Sequence, residues 1–334
     1  MPKVIEDTLS DTINFAISNN TKSTYNTAVN MLNKCKEELN ENMSLPLEER
    51  DILIFVGFCI NRDNKVGTVK SYLAGLKKYH MALGYPKFEY MTPIIKEVLE
   101  GHENKVNSRA TQGRGGLVKK FRLPCTLNIL KLIKIELKMS TLDPQEKIVT
   151  WAACTLAFYG ALRGSEVLCD DKTEYCPNDI LQKRDIKICK ADSTGKESVT
   201  LKIRNSKTSR GKAEIVSVYA NYGDTCPVGA VRKLQRLTKD CPDDAPAMCD
   251  KLGRVLTKNR LNCILNLLMG DTFPDGSLSC HSFRAGLISM FANMGHSDRD
   301  LAAIGRWSSR AYQEYIKLNR SKRHEMTVAA SCLE

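Results

Sequence analysis

No apolar run in the 334-residue sequence approaches the roughly eighteen residues that a membrane-spanning helix needs. The first residues, MPKVIEDTLSDTINF, form neither a charged-then-apolar leader nor an Arg-rich transit segment. The chain is therefore expected not to be secreted, and to work in the nucleus if eukaryotic and otherwise in the cytoplasm. It has no internal repeat and no low-complexity segment, which excludes a repeat array. Thirteen cysteines are present, but no two are spaced C-x-x-C and no close Cys/His pairing offers a four-ligand zinc site. The odd count in a long chain also argues against a disulfide scaffold. Cys154, Cys189 and Cys263 lie in apolar segments and are read as reduced, buried thiols that act as small hydrophobes.

What is abundant is positive charge. Fifty Lys and Arg against 38 Asp and Glu give a net charge of +12 and a pI near 9.0. Such a surplus favours a polyanionic partner, nucleic acid being the commonest, and the alternative is a basic but unspecialised surface. A hydrophobic fraction of 42% suffices for sizeable cores, and the length suggests two domains.

The first hundred residues carry apolar side chains at helical spacing. In TYNTAVNMLNKCKEEL the stripe is Tyr25, Val29, Leu32, Cys35 and Leu39. DILIFVGFCINR reads as a short buried helix. GTVKSYLAGLKKYHMALG reads as a helix from a cap at Thr68 to a stop at Gly84, with Val69, Leu73, Leu76 and Leu83 on one side. MTPIIKEVLEG has Thr92 as cap, Pro93 at the first helical position and Gly101 past the end. A helical domain over 1–104 follows. Residues 105–124, KVNSRATQGRGGLVKKFRLP, hold six basic residues, no acids and three glycines. They read as a basic linker that joins the two domains around DNA, solvated and at the same time crossing a phosphate backbone with Lys105, Arg109, Arg114, Lys119, Lys120 and Arg122.

The second domain, 125–334 with a C-terminal tail, opens with the helical TLNILKLIKIEL and PQEKIVTWAACTLAFYGAL. The period then changes to two: DIKICK, SVTLKIRN and AEIVSVYA read as strands of a small antiparallel meander. Helices resume in PVGAVRKLQRLTK, KNRLNCILNLLM, CHSFRAGLISMFANMG, SDRDLAAIGRW and AYQEYIKLNR. Ser297 and Asp300 stand in capping-box spacing. The fold class is mainly α with a small antiparallel β-meander.

Several short motifs carry donors for an anion. YGALRGSEVL sets Arg163 just past a glycine-punctuated helix end, with Glu166 three residues on, able to hold the guanidinium. NSKTSRGK puts Lys207 at a hairpin tip, with Arg210 and Lys212 beside it. CHSFR sets His281 and Arg284 one helical turn apart, on one face, able to reach a small anion together. GRWSSRAYQEYI adds Trp307, Tyr312 and Tyr315. Two arginines, a lysine, a histidine and an indole N–H form a phosphate clamp with no carboxylate cluster for Mg²⁺. Phosphoryl transfer depends mainly on positioning and charge stabilisation, the Arg fork bonds two oxygens at once, and a tyrosine hydroxyl can be a covalent nucleophile. Singly, each residue has an ordinary explanation: Arg163 as a helix C-terminal charge, Lys207 as one of a solvated basic run with Lys212 as alternative, His281 as a capping residue, Trp307 as a core aromatic.

In this order the set Arg163-x-x-Glu166, Lys207, His281-x-x-Arg284, Trp307 and Tyr315 resembles the tyrosine recombinase (phage integrase) family over about residues 125–320. The helical first hundred residues resemble that family's core-binding domain. The GRWSSRAYQEYI version is similar to recombinases of eukaryotic mobile elements of the DIRS and Crypton types. The resemblance implies an all-helical core-binding domain followed by an α+β catalytic domain. Tyr315 would attack the scissile phosphate, with Tyr312 the alternative, giving a 3′-phosphotyrosine and a free 5′-hydroxyl. Arg163 and Arg284 would bind the non-bridging oxygens, and Lys207 would protonate the leaving 5′-oxygen. His281 would move a proton or bind phosphate, Trp307 would donate its indole N–H, and Glu166 would support Arg163 from behind. It further implies strand exchange through a Holliday junction for integration or excision of a mobile element. The partners would be double-stranded DNA with paired sites and a homo-tetramer on that DNA, from a monomer or weak oligomer when free. No metal, cofactor or ATP is expected. The rivals are a type IB topoisomerase-like relaxing enzyme and a non-cutting DNA-binding protein of the same fold.

Overall fold

The computed structural model describes residues 19–85, 87–111, 122–170, 180–204, 213–307 and Gln313. By internal contacts the chain divides into two units, Met1–Lys119 and Lys120–Glu334.

The first unit contains α1 (Asn19–Leu39), α2 (Glu49–Asn61), α3 (Val66–Ala82) and α4 (Pro93–Thr111). Its core joins Ala28, Leu32 and Cys35 of α1 to Phe55, Val56 and Cys59 of α2, Val69, Leu73 and Leu76 of α3, and Ile95 and Leu99 of α4. The α1 stripe is centred differently from the sequence reading. Ala28 takes a core position, while Leu39, at the last turn, is exposed. α3 starts at Val66 behind Lys65, not at Thr68, and Leu83 ends it facing solvent.

Gly101 does not stop α4, which continues to Thr111. An interior glycine costs only about 1 kcal/mol of helix propensity, and KVNSRAT holds neither glycine nor proline to break the ladder. The expected basic linker therefore begins inside a helix: Lys105 is an exposed side chain on α4, and Arg109 lies on the same helix. Arg114, Lys119 and Lys120 lie outside the described residues.

His80 is fully buried in this unit, stacked on Phe88 with ring centroids 3.8 Å apart. Its Nδ1–H donates to the Leu76 carbonyl at 2.7 Å, and Nε2 accepts the Leu47 N–H at 3.1 Å. Only the neutral ring satisfies both, and burial, opposed by the Leu76 bond and aided by the charge of Lys36, lowers its pKa.

The second unit is built on α6 (Pro144–Tyr159), whose residues Ala152 to Phe158 are all buried. Asp143 caps it, accepting from the N–H groups of Gln145 and Glu146. Around it lie α5 (Leu127–Met139), α8 (Pro227–Leu237) and α10 (Cys280–Asn293). Thr126 caps α5 and Thr257 caps α9 (Lys258–Met269), each by a side-chain oxygen on the N3 amide. The short α7 (Gly164–Val167) follows α6, and α11 (Asp298–Gly305) follows α10 behind the Ser297–Asp300 capping box. Strands β1 (Ile186–Cys189), β2 (Ser198–Ile203) and β3 (Glu214–Tyr219) form the antiparallel sheet β1-β2-β3, with Leu201 opposite both Ile186 and Val216. Val199, Leu201 and Val218 turn into the same core as α6. The chain is thus mainly α with a small antiparallel meander, as its periodicities indicate.

Residues 122–125, counted above with the linker and the following domain start, are anchored to the second unit. Leu123 N–H donates to Ser277 and Cys125 N–H to the Ser282 carbonyl, both at 2.8 Å. Gly286 of α10 permits this approach, since a Cβ there would fall 1.8 Å from the Cys125 carbonyl oxygen. Of the three cysteines expected to be buried, Cys154 is, while Cys189 and Cys263 are exposed. Cys189 ends an edge strand and Cys263 sits on the outer face of α9, where local apolarity does not report burial. Among the described residues no helix is long and apolar enough to cross a membrane.

Because the folded chain disfavours a proton on His80 that the unfolded chain accepts near pH 6.5, stability supplied by this site is full above that pH and is lost as pH falls below it. The urea midpoint should drop between pH 7.5 and 5.5, and His80→Gln should flatten the drop. Equal drops in both proteins would locate the acid sensitivity elsewhere.

Candidate active site

The site forms where α6 ends. Its last turn closes at Gly160, and Ala161 takes a left-handed conformation at φ 45°. The Ala161 N–H donates to Phe158 at 3.1 Å and the Leu162 N–H to Ala157 at 3.0 Å, a Schellman closure in which glycine is the usual residue. The carbonyls left at this end are the negative pole of the helix. Two guanidinium groups meet them: Arg306 Nη1 donates to Gly160 at 3.1 Å and Arg284 Nη1 to Ala161 at 2.6 Å.

Two residues on, Arg163 precedes α7, and Glu166 folds back on it. Glu166 Oε2 accepts the Arg163 backbone N–H, and Oε1 accepts Arg163 Nη1, both at 2.8 Å. Oε2 also accepts Arg306 Nη2 at 2.6 Å. The Glu166 side chain is 1% exposed, against 14% for each arginine. Desolvation pushes its pKa up, but the charge of Arg306, then the hydrogen bonds and charge of Arg163, outweigh it, so the carboxyl lies below the usual range and is ionised. The sequence reading of Glu166 as the holder of Arg163 matches this geometry. Arg163 is the residue before a helix rather than the charge at the end of one.

α10 carries the next pair, but not as partners on one accessible face. His281, in the first turn, is exposed, whereas Arg284, one turn on, is 0% exposed. Enough protein surrounds the imidazole that desolvation, followed by the charges of Arg122, Lys258, Arg284 and Arg163, lowers its pKa, so the neutral ring prevails at pH 7. The preceding Cys280 is pushed up to about 11 by burial, and its thiol donates to Asn262 Oδ1 at 3.3 Å. It stays protonated and offers no competing nucleophile.

Arg284 is sealed by the residues that end α11. Its Nη2 donates to the Gly305 carbonyl, and its guanidinium carbon lies 4.1 Å from the centroid of the Trp307 ring. Gly305 is required for this packing: a Cβ would fall 1.7 Å from Trp307 Cζ3. The turn between them is a second Schellman closure, with Arg306 N–H on Ala303 and Trp307 N–H on Ala302, both at 3.0 Å. Arg306 occupies the left-handed position at φ 53°, at a cost of about 1–2 kcal/mol for a residue with a Cβ.

The structure therefore brings Arg163, Glu166, His281, Arg284 and Trp307 to one place, with the exposed Arg122 near enough to act on His281. Lys207, Arg210, Lys212, Tyr312 and Tyr315 lie outside the described residues. Lys105 and Arg109 belong to the first unit. The sequence reading missed Arg306 and Lys258, whose amine pairs with Asp170 and whose charge reaches His281. An arginine where a helix stop favours glycine was the signal for Arg306, while nothing in KNRLNC distinguishes Lys258. Among the described residues no group of three or more His, Cys, Asp or Glu could hold a metal ion. A cavity of about 300 Å³ lined by Asp143, Glu146, Asp250, Arg254 and Arg260 lies at the opposite end of α6, some 24 Å of helix away. Four of its charges form two pairs, Arg260 with Glu146 and Arg254 with Asp250, and Asp143 caps α6.

No family model matches the chain, and no curated protein does. Solved structures do. Lambda integrase (75–356), as a dimer bound to a COC′ core site, aligns over 95% of this chain and 95% of its own at 12% identity, TM-score 0.58. The XerH site-specific recombinase, in a post-cleavage complex with palindromic difH substrate, aligns over 91% and 78% at 13% identity, TM-score 0.58. The chain has the tyrosine-recombinase fold. The Tn1549 transposon integrase with transposon right-end DNA shares this fold over 94% and 95% at 15% identity, TM-score 0.53. Within this fold, the buried carboxylate between two guanidinium groups is a property of the chain's own residues.

Replacing Glu166 by Gln keeps the shape and removes the charge that both arginines face. Breaking a buried pair costs about 3–5 kcal/mol, and the small exposure of each arginine favours the lower end. Urea unfolding should register a loss of about 3 kcal/mol, and a loss below about 1 kcal/mol would mean that the pair is screened like a surface one.

Proposed function

We propose that this protein is a tyrosine recombinase that cuts and rejoins DNA through a 3′-phosphotyrosine intermediate. The observation that carries the reading is the convergence of Arg163, His281, Arg284 and Trp307, from three separate stretches of sequence, on the C-terminal end of α6. The solved structures of similar fold that contain core-site, difH or transposon-end DNA support DNA as the partner, and the net charge of +12 agrees.

In the proposed reaction the Tyr315 oxygen attacks the scissile phosphorus and its proton passes to the neutral His281 imidazole. The P–O5′ bond breaks, and Lys207 gives a proton to the departing oxygen. Arg163, held by Glu166 and 14% exposed, binds a non-bridging oxygen. Arg284 binds phosphate directly only when Trp307 lifts, since the guanidinium is fully covered. Reversal by a 5′-hydroxyl of the partner strand completes the exchange, two strands at a time, through a Holliday junction in a homo-tetramer on paired sites. Integration or excision of a mobile element is the setting this chemistry suits, and DIRS- or Crypton-type elements are the kind proposed.

Covalent trapping tests the proposal. The full chain is mixed, without added metal or ATP, with fragmented DNA from its source genome, and DNA that partitions with protein in phenol until protease treatment is sequenced. Wild type should yield adducts at one recurrent sequence and Tyr315→Phe none. Adducts that persist in the Phe variant would move the nucleophile to Tyr312. Tight binding without adducts, on nicked DNA as well, would make the protein a non-cutting binder. Site-independent relaxation of supercoiled DNA would make it a topoisomerase.

A further inference from the structure

We propose that Arg306 is a positioning residue that locks three parts of the site to one another: the Arg163 turn, the C-terminal end of α6, and the start of β3. The catalytic consequence rests on the recombinase reading above, whereas the coupling itself does not.

One guanidinium reaches all three. Its Nη2 donates to Glu166 Oε2 at 2.6 Å, its Nη1 to the Gly160 carbonyl at 3.1 Å, and its Nε stands 3.2 Å from Glu214 Oε2. Glu214 opens β3 and so follows directly on the segment that carries Lys207 in the sequence. Glu166 divides its oxygens, Oε1 to the Arg163 side chain and Oε2 to Arg306 and the Arg163 amide. Without Arg306 the carboxylate would lose one of its two guanidinium partners, and its hold on the Arg163 side chain and amide would be less fixed.

The backbone of Arg306 does a separate task. Its left-handed turn brings the Trp307 ring back over Arg284 while the Gly305 carbonyl accepts from the same guanidinium. Three consecutive residues, Gly305, Arg306 and Trp307, therefore hold both arginines, the buried Arg284 through the backbone turn and the half-buried Arg163 through the side chain and Glu166. Glycine at 306 would keep the turn, which it favours, and delete only the guanidinium. Lysine would keep one charge but lacks the planar fork that spans Glu166, Gly160 and the Glu214 carboxylate at once.

The test compares the full-length wild type with Arg306→Gly and Arg306→Lys. Amide exchange should quicken about tenfold in Arg306→Gly at Gly164–Leu168 and at the first residues of β3 together. Exchange in α9 should change less than at these two segments, and the melting temperature should fall only modestly, because relief of the left-handed strain at 306 offsets part of the lost buried pair. Arg306→Lys should fall between. On DNA recovered by trapping, Arg306→Gly should cut about a hundredfold more slowly at saturating DNA, with DNA affinity little changed. Its rate should begin to fall at a higher pH on the acid side, because Glu166 loses the charge that most lowers its pKa. Unchanged exchange at both segments would overturn the coupling. Altered exchange with a wild-type cleavage rate and pH profile would overturn the positioning role. Absence of any adduct in wild type would overturn the recombinase reading, and exchange alone would then decide the coupling.

Discussion

An ionised carboxylate with almost no exposed surface is an expensive thing to fold around, and in this chain the arrangement of the candidate site follows from it. Left unpaired, Glu166 would cost several kcal/mol or take up a proton. Instead it faces two guanidinium groups and a backbone amide, all within 2.8 Å. This fixes Arg163 more tightly than a surface ion pair, usually worth under about 1 kcal/mol, could do. The Arg163 side chain, paired with Glu166, keeps 14% exposure to solvent.

The second element is the end of α6. Because its middle is buried on all sides, the helix cannot shift without disturbing packing against α5, α8 and α10. Its last carbonyls are therefore fixed points, and Arg284 and Arg306 are both measured against them. Two residues with side chains, Ala161 and Arg306, adopt left-handed backbone at this place. Each carries strain that glycine would relieve, and each is held by hydrogen bonds of a Schellman closure. Strain at two facing turns is consistent with a site whose surroundings determine its backbone.

Much of the fold was legible because it follows from local rules. The change of period at Asp185 marks the sheet, Ser297 marks a helix start by its capping box with Asp300, and Pro93 marks another by its place in the first turn. Where tertiary packing decides, local reading failed. A glycine past the last apolar position usually stops a helix, yet α4 runs through Gly101. Apolar neighbours around Cys189 and Cys263 point to burial, yet an edge strand and a helix face turn them outward. In the site, spacing correctly put His281 and Arg284 one turn apart but could not tell that Arg284 lies under Trp307. Arg306 escaped notice for the converse reason: its partners, Gly160, Glu166 and Glu214, are between 92 and 146 residues away in sequence.

The burial of Arg284 bears on how such a site could receive a phosphate. An indole face over a desolvated guanidinium is worth about 2 kcal/mol, whereas hydrogen bonds from a charged donor contribute about 1.5–3 kcal/mol each. A phosphate making two such bonds would outcompete the ring, so the cover over Arg284 is a modest barrier rather than a block. The gain would be larger because cations gather here, with Arg122, Lys258, Arg284 and Arg163 all acting on a histidine that they help to keep neutral. An arriving dianionic or diester phosphate would offset that repulsion. Trp307 is only eight residues from Tyr315 in the chain, a distance of at most about 29 Å. On the proposed reaction, a phosphate bound at Arg284 would have to lie within that reach of the Tyr315 hydroxyl.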